Sequence, residues 1–217
     1  MNIIVKPYGS TLCCCRPDTT WERENRDFYS PECVNEVTWT PVVFARISKA
    51  GKCIGRKFAE RYFDGFGCGM LMYCKVGEDL CSCVDRTSIL PMPLYNPVVL
   101  ENDEDFVVTK NGEPITTERR SPVISTERHS SVISTERRSS VISTEQNSPV
   151  ISTERSEWRN LLCEALCSAS LLTSLRIGDY VAVELAPQEI LATREEGTVS
   201  VKGTFCENDI FDFKMIF

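Results

Sequence analysis

Three glycines at alternating positions, Gly65, Gly67 and Gly69, follow directly on a run with helical spacing. No other stretch of this 217-residue chain restricts the fold as much. In Arg56–Asp64 (RKFAERYFD), Phe58, Ala59, Tyr62 and Phe63 fall on one face at i, i+1, i+4 and i+5. Arg56, Glu60 and Arg61 then face water, which predicts a short helix. The glycines end it and admit backbone approaches that no β-carbon would allow. Upstream, Pro41–Ile47 (PVVFARI) is rich in β-branched and apolar residues, the pattern of a buried strand. The unit therefore reads as strand, turn at Lys49–Gly51, short helix and glycine-rich return.

Elsewhere the chain alternates as strands do. Met1–Val5, Val98–Leu100, Tyr180–Leu185, Thr198–Phe205 and Ile210–Ile216 all fit that pattern, the last two joined by Cys206–Asp209. Asn111-Gly112 is a strong hairpin signal and predicts that Phe106–Thr109 pairs with Ile115–Thr117. Thr11–Arg26 is polar and irregular, with Arg16-Pro17-Asp18 reading as a turn. A second helix is expected over Ser156–Leu175, capped by Ser156 with Glu157 in its first turn. Its apolar stripe is Leu161, Leu162, Ala165, Leu166, Ala169, Leu172 and Leu175, and Gly178 follows its end. The fold class is mixed and mostly β, with two short helices.

Four near-identical nonapeptides occupy Ser121–Ser156, from SPVISTERH to SPVISTERS, and Gly112–Arg120 is a degenerate fifth copy. A period of nine suits neither regular element, since successive copies change face in both. Each copy offers only Val and Ile as core material, too little to offset the entropy of ordering. Residues 112–156 are thus expected to be a disordered, low-complexity insertion. It divides one domain into an N-terminal part, 1–111, and a C-terminal part, 157–217. His129, the one histidine, falls inside the repeat and reads as a solvated loop residue.

A net charge of −7 argues against nucleic acid as the partner, because phosphate binding needs clustered cations. No apolar run approaches the roughly 20 residues of a membrane span, and MNIIVKPYGS is no secretory leader, so a cytoplasmic location is expected. Twelve cysteines include Cys13-Cys14-Cys15, Cys81-Ser82-Cys83 and the pair Cys163 and Cys167, one helical turn apart. Paired C-x-x-C arms at zinc-site spacing are absent, and the spread is unlike a secreted disulfide framework; reduced structural thiols are the expectation.

Gly51-Lys52-Cys53-Ile54, then Lys57-Phe58-Ala59-Glu60-Arg61-Tyr62-Phe63-Asp64 with Gly67 and Gly69, resembles the lysine–glycine turn and "KFAxxYYDxxGxGxD" run of the fumarylacetoacetate hydrolase family. Val5-Lys6-Pro7, Asp105-Phe106 with Asn111-Gly112-Glu113, Leu175-Arg176-Ile177-Gly178-Asp179 and Ile210–Lys214 resemble further family elements, in the same order. The resemblance implies a β-roll core, commonly dimeric, so a homodimer is the expected assembly and no partner protein is identified. In active relatives it implies Mg²⁺ or Mn²⁺ held by a Glu-x-Glu on the strand before the helix and by the aspartate closing "GxGxD". Those positions here are Thr40, Val42 and Leu71, and no acidic residue lies between Thr38 and Lys57. The family's lid with its acidic–histidine pair has no counterpart, Lys75 lies outside the family's lysine context, and its glycine–threonine–proline loop retains only Pro187. The expected function is therefore a family-like pseudoenzyme or scaffold that has lost metal-dependent catalysis. No catalytic, cofactor-binding or metal-binding residue and no cofactor are assigned. One alternative is an active Mg- or Mn-dependent hydrolase or decarboxylase of oxo acids, recruiting Glu78, Asp79 and Asp85. The other is a decayed reading frame without a selected role.

Overall fold

A computed structural model describes residues 1–96, 106–115 and 155–217, with the side chains of residues 155 and 156 left out. In chain order the strands are β1 (Asn2–Lys6), β2 (Cys14–Pro17), β3 (Trp21–Glu22), β4 (Phe28–Tyr29), β5 (Glu36–Ile47), β6 (Phe63–Val76), β7 (Asp79–Cys81) and β8 (Ser88–Ile89). They continue with β9 (Phe106–Lys110) and β10 (Glu113–Pro114), then α1 (Arg155–Leu172), β11 (Tyr180–Glu184), β12 (Glu189–Thr193), β13 (Thr198–Phe205) and β14 (Asn208–Ile216). A nine-stranded sheet runs β2-β1-β11-β5-β6-β8-β3, with β12 also bonded to β5 and β7 to β6. A five-stranded sheet runs β10-β9-β13-β14-β4. The mostly β class is what the sequence predicts. Among the described residues no helix is long and apolar enough to cross a membrane.

β5 and β6 are the spine of the larger sheet, paired antiparallel from Glu36↔Lys75 to Ala45↔Phe66. β5 is buried along nearly its whole length because it is covered on both faces, which is why its sequence is almost continuously apolar. Pro41 sits in its middle, where a missing N–H would normally break a ladder. Here the partner on that side changes: β11 pairs with Val42–Arg46 and β12 with Glu36–Trp39, so the proline falls at the join. Its carbonyl is still used, accepting from Leu185 N at 2.9 Å. The expected strand began at Pro41; the observed one begins five residues earlier.

One face of β5 and β6 carries Val37, Trp39, Val43, Cys68, Met70 and Met72 into the main core, shared with α1 and the five-stranded sheet. Trp158 of α1 lies at the meeting point, 6.3 Å from the Phe66 ring and 5.9 Å from that of Phe205. The opposite face makes a second, smaller core from Ile3, Val5, Val42, Phe44, Leu71, Tyr73, Leu90, Tyr180 and Ala182.

Several local expectations need correction. Arg56–Tyr62 is a 3₁₀ turn in which Ala59 is fully buried, but Phe58 is 42% exposed and Phe63 already belongs to β6. Three residues per turn rotate Phe58 off the face that a 3.6-residue period assigns it. The glycine-rich return is no loop but the start of the 14-residue strand β6. Gly67 lies beneath Phe44, and a β-carbon on Gly69 would come within 2.2 Å of the Ile89 carbonyl oxygen. α1 ends at Leu172, so that side chain is exposed, while Trp158 and Cys163 join the buried stripe. The helix already includes Ser156, whose side chain lies outside the described residues. Gly178, at φ +89°, serves a turn in which Asp179 N donates to Arg176 O, rather than the helix end. The Asn111-Gly112 hairpin forms with both residues at positive φ, and Ile115 N donates to Val108 O. Val98–Leu100, Thr116 and Thr117, His129 and the nonapeptide copies over residues 116–154 lie outside the described residues.

Candidate functional site

The strand alternation that turns Val42 and Phe44 to the second core also turns Thr38 and Thr40 that way, and the register sets Thr40 opposite Leu71 and Val42 opposite Gly69. The three positions that the resemblance aligns with metal ligands are thus brought together by two central strands, and all three are fully buried. Thr40 Oγ1 donates to Ala186 O at 2.7 Å. Val42 and Leu71 pack among Ile3, Val5, Phe44 and Leu90. Hard divalent cations require oxygen ligands, ordinarily several and mostly carboxylate. Two hydrocarbon side chains and one hydroxyl engaged with a backbone carbonyl do not fit such an ion.

Glu78, Asp79 and Asp85 lie on the surface and not among them. Glu78 and Asp79 are exposed at the β6–β7 turn, and Asp85 is exposed in the following loop. Among the described residues no three His, Cys, Asp or Glu side chains converge as a metal would need. Lys75 bridges the spine to Glu36 at 3.6 Å.

What fills the polar end of this inner face was not legible in the sequence. Arg16, expected in a surface turn, is fully buried on β2 because the β1–β2 pairing sets it opposite Ile3. Its guanidinium donates to Thr87 O and Ser88 Oγ, each at 3.3 Å, and to Met72 O at 3.0 Å. It also stacks 4.2 Å from the centre of the Tyr73 ring, while its Nε has no partner. Tyr73 OH donates to Glu184 Oε1, and Glu184 Oε2 accepts from Tyr8 N at 2.9 Å. Burial pushes the Tyr73 hydroxyl well above its ordinary pKa, and the Glu184 carboxylate adds to this, while the nearby Arg16 cation opposes it. A cation, a phenol and a carboxylate therefore sit in one buried compartment, Arg16 and Glu184 held by backbone groups and Tyr73 by the Glu184 carboxylate. The only signal that could have found them is the final position of YVAVE, where a charged residue ends an otherwise apolar strand.

A separate cavity of about 410 Å³ opens at the other end of β1 and β11, lined by Trp21, Arg23, Arg46, Met92, Arg176 and Tyr180 among others. Trp21 and Tyr180 have ring centroids 5.1 Å apart and form an apolar wall. The buried Asp179 carboxylate beside it accepts Asn2 N and Arg176 N, both at 2.8 Å. Among the described residues neither Arg46 nor Arg176 forms an ion pair.

No family model and no curated protein matches the sequence. Solved structures do match. Fumarylpyruvate hydrolase from Pseudomonas aeruginosa, in complex with Mn²⁺ and pyruvate, superposes with a TM-score of 0.67 at 12% identity, over 100% of this chain and 90% of that one. Maleylpyruvate hydrolase from Sphingobium sp. SYK-6 gives 0.65 at 12% identity, over 98% and 69%. A protein assigned to the fumarylacetoacetate hydrolase family from Yersinia pestis CO92 gives 0.62 at 10% identity, over 99% and 92%. At such identity the likeness speaks for architecture and leaves chemistry to the residues. By its spine, its two sheets and these neighbours, the chain has the fold of the fumarylacetoacetate hydrolase family.

Proposed function

We propose that this chain keeps the fold of that family without metal-dependent cleavage of carbon–carbon bonds, and acts as a binding or partner subunit. One observation carries the reading: the three side chains that the resemblance aligns with metal ligands, Thr40, Val42 and Leu71, are fully buried and offer two hydrocarbons and one hydroxyl already engaged with a backbone carbonyl. The cavity beside Trp21 supports the binding half. Arg23, Arg46 and Arg176 around an aromatic wall fit an anion with an apolar body. A cytoplasmic location and a homodimer belong to the same proposal.

The test is a thermal melt under reducing conditions, with and without Mg²⁺ or Mn²⁺ and with oxalate as an enolate mimic. A ligand at ~100 times its Kd stabilises by ~2.7 kcal/mol, which for a chain of this size is about 5–10 °C. The expected result is a cooperative transition that metal and oxalate leave in place. A shift of that size with metal and oxalate together, and with neither alone, overturns the proposal and directs attention to Glu78, Asp79 and Asp85. A melt without a cooperative transition favours a decayed reading frame instead.

A further inference from the structure

Cys81 ends the three-residue strand β7, which is bonded only to β6 and so lies at an edge of the sheet. The chain bends at Ser82, and this brings the Sγ atoms of Cys81 and Cys83 to 3.3 Å with both thiols free. Cys83 is exposed and Cys81 partly so. A second thiol at hydrogen-bond distance from a sulfur favours its thiolate.

We propose that Cys81 and Cys83 form a dithiol site that reacts by thiol–disulfide exchange with disulfides reaching this sheet edge. Cys81, as thiolate, attacks one sulfur of R–S–S–R, forming Cys81–S–S–R and expelling R–S⁻. Cys83, losing its proton, then attacks the Cys81 sulfur, closes the Cys81–Cys83 bond and expels the second R–S⁻. Two thiols are oxidised to one disulfide, one external disulfide is reduced to two R–SH, and the protons balance.

Two further features favour this pair. The N–H and thiol of Cys83 hold Cys81 below the ordinary thiol range, while that same contact, led by the hydrogen bond to Cys81, raises Cys83. Attacking and resolving roles are thereby divided between them. By contrast, burial pushes Cys68, Cys74 and Cys163 upward, the last two to about 12 and about 11. Cys74 is the cross-strand partner of Cys81 and is buried, so a Cys74–Cys81 bridge is the competing product.

The experiment treats the reduced full-length chain with oxidised glutathione and maps the products by mass spectrometry without reduction, using exposed Cys53 as an internal reference. The expected result is a peptide carrying a Cys81–Cys83 disulfide, formed about tenfold or more faster than glutathione adds to Cys53. In Cys83→Ser, a stable glutathione adduct should accumulate on Cys81; in Cys81→Ser, the rapid phase should disappear. Cys83 is exposed, so neither the fold nor the core depends on its sulfur. A Cys74–Cys81 bridge as main product, adducts building up on Cys83 in the unsubstituted chain, or reaction at the rate of Cys53 would each overturn the proposal.

Discussion

Cys74 shows how one buried atom ties stability to pH. It faces the main core from β6, where burial pushes its thiol up to about 12 from an ordinary value of 9.0, with Cys81 raising it further and Arg16 opposing. In the unfolded chain the thiol ionises near its ordinary value, while in the folded chain it stays protonated. The folded state thus holds the proton longer, and stability must fall as pH rises from about 9 toward 12. Tyr73 and Cys163 shift in the same direction and add to the slope. Urea denaturation across that range is expected to show a steady loss, and Cys74→Ala to make it shallower, after the cost of the lost sulfur is subtracted at pH 7. An unchanged slope in the variant would remove Cys74 from this account. Nothing in the sequence singles out position 74 among twelve cysteines, because what raises it is the two-sided burial of β6. Arg16 was unreadable for the same reason: composition marks arginine as a surface residue, and only the strand pairing reveals the carbonyls that receive it.

Regular elements were more legible than single positions where the pattern was long. β13 was predicted at its observed bounds and the Asn111-Gly112 turn where it occurs, because two-residue periodicity and turn chemistry are local; the connection expected at Cys206–Asp209 is shorter, a Cys206-Glu207 turn with Asn208 and Asp209 already in β14. Short strands such as β2, β3, β7 and β12 were missed, since two to five residues offer too few alternations and owe their geometry to neighbours. The Gly51 turn shows how such neighbours act. Gly51 and Leu175 exchange both backbone hydrogen bonds, and Cys53 N donates to Ser170 O at 2.8 Å. Ser170 Oγ then accepts Ile54 N at 2.9 Å, fastening the loop to the last turns of α1. Ser170→Ala leaves that buried N–H without a partner and should cost about 1–3 kcal/mol. Chemical denaturation will check this, and an effect under about 0.5 kcal/mol would mean water replaces the hydroxyl.

At the scale of the molecule, the two sheets share one core. That cluster takes Val37, Trp39, Met70 and Met72 from one sheet and Phe106, Val201, Phe211 and Met215 from the other, with α1 between. Neither sheet can lose its partner without exposing the same apolar surface, so unfolding should be a single transition. Far-ultraviolet circular dichroism and the fluorescence of the buried Trp39 and Trp158 are expected to follow one curve. Fluorescence changing first would mean that α1 and the smaller sheet open alone. The family-like fold could be read from the order of scattered motifs, because a fold tolerates 10–12% identity when its pattern of burial is kept. That Thr40, Val42 and Leu71 fall where the resemblance implies metal ligands was readable in the sequence. What had taken their surroundings, Arg16 with Tyr73 and Glu184, was not, since those residues are distant in sequence and meet only through the sheet.

The hairpin tip is fastened sideways, with Asn111 N donating to Ser200 O and Asn111 Oδ1 accepting Ser200 N. The described chain leaves the smaller sheet just beyond it and is next anchored by Trp158. These two points are held by Asn111 with Ser200 and by Trp158 with Phe66 and Phe205. A change in copy number by replication slippage would leave these five side chains themselves in place. In β5, by contrast, nearly every side chain is buried, so a change at almost any codon would reach a core.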